Sequence, residues 1–188
     1  KEGSNMKLTL EGIKNRNEWE EKGYRLPAYD RPAMVAKTMA NPNWLHFGAG
    51  NIFRAFTAAV LNDVLNSGKY DRGIVVAETF DYEIIDKAYA PYENLSLLVS
   101  LKSTGDIEKK VIGSVVESLK ADYQFEEHWA RLVEIFRNPS LQMISFTITE
   151  KGYGVAPHDL ERGMPPILAM GKVAVLLYAR FLAGQLPL

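Results

Sequence analysis

The stretch WLHFGAGNIFRAF, residues 44–56, decides the fold. Its apolar start, Trp44 to Phe47, is short enough for a buried strand of a parallel sheet and stops at Gly48. After Gly50 the apolar side chains recur at helical spacing until Ser67-Gly68, which ends the predicted helix. The two glycines therefore form a G-x-G turn between a strand and a helix.

The predicted helix has one apolar and one polar face, and a second strand follows it. The apolar face consists of Phe53, Phe56, Val60, Leu61, Val64 and Leu65, and the polar face of Asn62, Asp63 and Asn66. GIVVA, residues 73–77, is a short β-branched run that ends at Glu78. Together these segments predict a βαβ unit, whose parallel strands need a right-handed crossover.

The middle of the chain departs from this alternation. The runs 95–101 and 111–119 flank the turn-rich KSTGD, which predicts an antiparallel excursion. A helix is expected next, with Asp122 as its N-cap, and then a strand over 141–149. The fold class is α/β: a Rossmann-like, doubly wound, mostly parallel sheet with an antiparallel excursion and an N-terminal arm.

Two parts are expected. Residues 1–43 form the arm, an irregular cap with one short helix, because Pro27, Pro32 and Pro42 break long elements. Residues 1–5 are interpreted as a cloning remnant before Met6. Residues 44–188 are expected to form the Rossmann-like domain itself, with a helix after Pro165-Pro166.

Composition excludes several classes of protein. The formal net charge is −1, so neither nucleic acid nor an anionic membrane is expected as a partner, and a small molecule is favoured. The chain has no cysteine, which excludes disulfides, thiolate metal sites and thiol nucleophiles and fits a cytoplasmic location. No apolar run approaches the roughly 20 residues of a membrane span, and the polar start is unlike a signal peptide.

The G-x-G turn has a specific use at this position. Gly48 permits the tight turn, Gly50 lets a pyrophosphate approach the backbone, and the helix N-terminus attracts its charge. Phe53 stands where a third glycine is usual, which weakens the motif and requires the helix to tilt or to lie further off. A plain glycine turn beside a solvated glutamate remains the alternative.

Glu78 is further evidence for a nucleotide-binding site. An acid at the end of the second strand can accept hydrogen bonds from the adenosine ribose and would repel a 2′-phosphate, so NAD is predicted rather than NADP. Asp81 is a competing candidate. At the other strand end, Thr147 and Thr149 in TITEKGY could face the nicotinamide, whereas His46 is expected to be a satisfied core residue.

These motifs together resemble those of the mannitol dehydrogenase family, the long-chain polyol and hexuronate dehydrogenases that include mannitol dehydrogenases, fructuronate reductases and tagaturonate reductases. The likeness rests on three segments in the same order, PAYDR (residues 27–31), WLHFGAGNIFRAF and TITEKGY (residues 147–153), and covers most of the chain from Pro27 onward. In that family the glycine pattern is G-x-G-x-x-F followed by Arg, so Phe53 and Arg54 fit it.

The resemblance implies a cofactor site in this sequence and a substrate domain outside it. It implies that the cofactor NAD is bound by Gly48, Gly50, Asn51, Ile52, Phe53, Glu78, Thr149 and Lys151. It also implies a further, mostly helical substrate domain that carries the catalytic lysine in the pattern Lys-x4-Asn-x2-His, which this sequence lacks. The implied reaction is hydride transfer to or from a polyol, ketose or keto-hexuronate, with catalytic residues beyond Leu188.

Two other classes remain open. A methyltransferase that uses S-adenosylmethionine also suits a βαβ unit with an acid after the second strand, although His46-Phe47 stand where that class favours an acid. A non-catalytic nucleotide-binding module is the third hypothesis.

Overall fold

The structure is a computed structural model that describes residues 6–147. Its strands are β1 (Tyr24–Arg25), β2 (Trp44–Phe47), β3 (Ile74–Glu78), β4 (Ser96–Leu101), β5 (Ile107–Ile112), β6 (Val115–Lys120) and β7 (Met143–Phe146). The main sheet has the order β6-β3-β2-β7 and is parallel throughout. Because β2 is an inner strand, the glycine turn that follows it emerges between the ends of β3 and β7.

Helices cover both faces of this sheet, which confirms the doubly wound α/β prediction. The α-helices are α1 (Arg16–Glu21), α2 (Arg31–Ala40), α3 (Ala58–Asn66) and α4 (Glu126–Arg137), and a π-helical turn, Phe53–Thr57, leads into α3. A second π-helical turn covers Ile85–Tyr89, and short 3-10 helices cover Gly12–Lys14 and Ala90–Tyr92. On one face, Ile74 and Val76 pack against α3 and Met34 of α2. On the other face, Leu45 and Val75 pack against α4.

The antiparallel excursion is shorter than the sequence indicated. Strands β4 and β5 form a hairpin, in which Leu97 lies opposite Val111. The run 111–119 does not continue this hairpin, because the chain turns at Gly113-Ser114 and β6 joins the main sheet in parallel with β3. The excursion is therefore one hairpin, and the second half of the run belongs to the doubly wound sheet.

The arm is more regular than predicted. Its described residues contain two α-helices, a short 3-10 helix and a strand, β1, which pairs in parallel with β5. Pro32 does not break α2, since it lies in the first turn, where its missing N–H costs no helical hydrogen bond. Asp30 caps this helix by accepting a hydrogen bond from the amide of Ala33 at 3.0 Å.

Two predictions about individual helices are wrong. Asn62 is buried, not on a polar face, because its side-chain oxygen accepts hydrogen bonds from the hydroxyl of Tyr29 (2.8 Å) and the amide of Gly113 (3.0 Å). Asp122 does not cap α4, which begins after Phe125; its carboxylate accepts from the amide of Gln124 instead.

The predicted apolar face of the first helix divides in two. Phe53, Leu61 and Leu65 are buried, whereas Phe56, Val60 and Val64 are exposed. The π-helical turn changes the helical phase between residues 53 and 58, which a 3.6-residue period does not anticipate. Among residues 6–147, no helix is long and apolar enough to cross a membrane.

Candidate functional site

Gly48 begins a turn that leaves no room for a side chain. Its φ is +109°, a conformation that favours glycine, and a β-carbon there would lie 2.4 Å from the carbonyl oxygen of Thr147. Its amide donates to the carbonyl of Ala77 at 2.8 Å. The end of β2 is therefore held tightly between the ends of β3 and β7, and only glycine fits the junction.

Gly50 lies in the opposite environment. A β-carbon built on it would meet no atom within 4 Å, so the turn is open at this point. Asn51 and Ile52 follow as exposed residues at the start of the helix, and Ile52 is 72% exposed. The first amides of a helix have no acceptor within the helix, so an open helix start beside a bare backbone suits an anion.

Phe53 packs in the core beside the glycine turn. Its ring is fully buried and stacks on the imidazole of His46, with centroids 4.5 Å apart and planes 18° from parallel. A π-helical turn begins at this residue and leads into α3. Because the ring is buried, only the main chain of Phe53 can face a ligand.

Glu78 is tied to the glycine turn. Its carboxylate accepts hydrogen bonds from the amide of Ala49 (2.7 Å) through Oε2, and from the amides of Thr79 (2.8 Å) and Phe80 (3.0 Å) through Oε1. The side chain is therefore not solvated, and the residue is only 8% exposed. A carboxylate has about four acceptor positions, so these three bonds leave one for a ligand hydroxyl. Asp81, the competing candidate, is exposed.

His46 is a buried residue with a hydrogen-bond partner at each ring nitrogen, which confirms the predicted core role. Its Nδ1 lies 2.7 Å from Oγ of Ser145, and its Nε2 lies 2.9 Å from Oγ1 of Thr147. Burial lowers the pKa of His46 to about 4. Thr147 therefore contacts the protein core and the turn, with its hydroxyl donating to the carbonyl of Gly48 at 3.3 Å.

Tyr89 also holds the turn, and no sequence pattern indicated this role. Its hydroxyl donates to the carbonyl of Ala49 at 2.7 Å, and burial raises the pKa of this phenol. Arg54 lies 5.8 Å from the centre of the Tyr89 ring and donates to the side-chain oxygen of Asn51 at 2.5 Å. Hydrogen bonds thus fix the main-chain groups of Gly48 and Ala49, whereas the space beside Gly50 is open.

The structure brings together six of the predicted site residues: Gly48, Gly50, Asn51, Ile52, Phe53 and Glu78. Thr149 and Lys151 lie outside the described residues, so their placement stays a prediction. Within residues 6–147, no group of three or more His, Asp or Glu side chains could hold a metal ion.

The strand order, the helices on both faces and the glycine turn define a Rossmann-type α/β domain. No family model matches the chain. It is 50% identical to D-mannonate oxidoreductase of Thermotoga maritima, over 97% of this chain and 36% of that protein. It is 30% identical to mannitol 2-dehydrogenase of Cereibacter sphaeroides, over 86% of this chain and 34% of that protein.

A solved structure agrees with these relatives. The fold superposes on mannitol 2-dehydrogenase of Pseudomonas fluorescens, solved with NAD and D-mannitol, with a TM-score of 0.68 and 25% identity, over 90% of this chain and 36% of that one. The chain belongs to the mannitol dehydrogenase family and matches the N-terminal part of its members. It spans about a third of the length of these relatives.

Proposed function

We propose that this chain is the NAD-binding domain of an oxidoreductase that transfers a hydride between nicotinamide and a polyol, a ketose or a keto-hexuronate. The observation that carries the proposal is the open backbone at Gly50 beside the buried carboxylate of Glu78. The relatives support the same proposal, since they are named as mannonate and mannitol oxidoreductases and one was solved with NAD.

The residues present fit a dinucleotide. The space above Gly50, which a side chain would fill, can admit a diphosphate close to the backbone. The amides at the start of the helix would bind its charge. The remaining acceptor position of Glu78 would take one ribose hydroxyl, and its negative charge would disfavour a 2′-phosphate.

These residues would bind and orient the dinucleotide, and the cofactor would supply the redox chemistry. When bound, NAD supplies the nicotinamide carbon that accepts or donates the hydride. We place the general acid and base on a lysine outside this sequence, so the chain alone should bind nucleotide without turning over a sugar acid. The placement of Thr149 and Lys151 on the nicotinamide side, the division into residues 1–43 and 44–188, and the cytoplasmic location stay predictions.

Calorimetric titration of the 188-residue chain with NADH, NADPH and S-adenosylmethionine tests this proposal. NADH should bind with a defined stoichiometry and more tightly than NADPH, and S-adenosylmethionine should not compete with it. Tighter binding of S-adenosylmethionine would favour the methyltransferase hypothesis, which none of the named relatives supports. Absence of binding by all three would contradict the nucleotide site.

A further inference from the structure

Five groups form a continuous hydrogen-bonded series beneath the glycine turn, which we name the His46 series. It runs from the indole of Trp44 through Ser145, His46 and Thr147 to the carbonyl of Gly48. It joins β2 to β7 across the pairing of His46 with Ser145. The series therefore connects the interior of the sheet to the backbone of the turn.

The chemistry of the two end groups determines which group donates in each hydrogen bond of the series. A carbonyl oxygen only accepts, so the hydroxyl of Thr147 donates to Gly48, and its oxygen is left to accept from Nε2 of His46. A neutral imidazole has one N–H, so Nδ1 accepts. Ser145 then donates to Nδ1 and accepts from the indole N–H of Trp44 at 2.7 Å.

We propose that His46 is a positioning residue for the dinucleotide: its Nε2–H holds Thr147, and Thr147 fixes the carbonyl of Gly48 in the orientation that directs the following amides toward the diphosphate. The close approach of Thr147 to Gly48 leaves little space for the turn to shift. The stacking of Phe53 on the imidazole couples the start of the helix to the same ring. This inference rests on the proposed function, since the turn it positions is the proposed diphosphate site.

Two matched pairs of variants test the series. Thr147→Val removes the hydroxyl while keeping the shape, and Thr147→Ser keeps the hydroxyl. We expect Thr147→Val to weaken NADH binding about fivefold or more, the change that corresponds to one lost buried hydrogen bond, and Thr147→Ser to stay within about twofold. His46→Gln can place its amide N–H near the position of Nε2, whereas the shorter His46→Asn cannot, so only the former should retain affinity.

A measurement without nucleotide keeps the inference separate from the proposed function. The imidazole nitrogen chemical shifts of His46 in the free chain, measured by NMR, should place the proton on Nε2. A proton on Nδ1 would overturn the series whether or not NADH binds.

The binding results separate the two proposals in the same way. If the wild-type chain fails to bind NADH, the proposed function is wrong. If it binds NADH and a folded Thr147→Val variant binds equally well, the positioning role is wrong while the proposed function stands. Thermal unfolding of each variant verifies that the proteins compared are folded.

Discussion

Replacing Glu78 with glutamine should both destabilise the fold and relax the choice of nucleotide. The amide of Gln has one oxygen where the carboxylate has two, so one of the three backbone bonds loses its acceptor even in the better orientation. In that orientation the buried amide of Ala49 is left facing a donor, which costs about 1–3 kcal/mol. The two remaining bonds lose their charge assistance, and the total is about 2–4 kcal/mol.

Thermal unfolding followed by circular dichroism measures this loss. For a chain of this size the melting temperature should fall by about 4–16 °C. Asp81→Asn is the matched control, because Asp81 is exposed and its substitution should leave the melting temperature within about 2 °C. A Glu78→Gln variant as stable as the control would refute the role of this carboxylate in holding the turn.

The same pair of variants decides which acid selects the nucleotide. Two unit charges about 4 Å apart repel by about 4 kcal/mol at an effective dielectric constant of 20, so removing the charge of Glu78 should lower the preference for NADH over NADPH at least about tenfold. The ratio of the two dissociation constants, measured by nucleotide fluorescence, gives this number. An unchanged ratio in Glu78→Gln and a reduced one in Asp81→Asn would move the assignment to Asp81.

Gly48→Ala should lower the free energy of unfolding by more than about 2 kcal/mol, because at positive φ its β-carbon would clash with Thr147. Gly50→Val should instead abolish NADH binding and leave stability nearly unchanged, because Gly50 has open space beside it. NADH binding by a folded Gly50→Val variant would contradict the proposed diphosphate site. Arg31→Met should cost about 3 kcal/mol in urea unfolding, since the guanidinium donates to three backbone carbonyls, and a loss under about 1 kcal/mol would show that those carbonyls find other donors. The pKa of His46 is about 4 in the folded protein, below its unfolded value of about 6.5. Neutral His46 therefore contributes fully to the free energy of unfolding above about pH 6.5, and this contribution, about 3 kcal/mol in total, is lost as the pH falls through 4. His46→Gln should lack this part of the acid sensitivity in urea unfolding at pH 7 and pH 4, and an identical pH dependence would contradict the assignment.

The βαβ unit could be predicted because its signals are local. Trp44 to Phe47 forms a strand with the predicted bounds, and the second strand is displaced by one residue, from 73–77 to 74–78. Apolar runs bounded by glycines encode such elements with little help from the rest of the chain. The positions of Gly48, Gly50 and Glu78 around one turn followed from the same pattern.

The supports of the turn could not be predicted, because they come from distant parts of the chain. Tyr89 reaches Ala49 from 40 residues away, and Ser145 reaches His46 from 99 residues away. The local spacing of apolar residues carries no information about such long-range contacts. The burial of Asn62 has the same origin, since its partners Tyr29 and Gly113 belong to the arm and to the junction before β6.

In the proposed function, main-chain amides at the end of β2 bind the diphosphate of NAD, and amide chemical-shift mapping by NMR observes these groups themselves. On titration of the chain with NADH, we expect saturable shifts that are largest at residues 48–53 and at 78–80. Shifts that do not saturate, or that are centred on another part of the sheet while these amides stay unchanged, would contradict it.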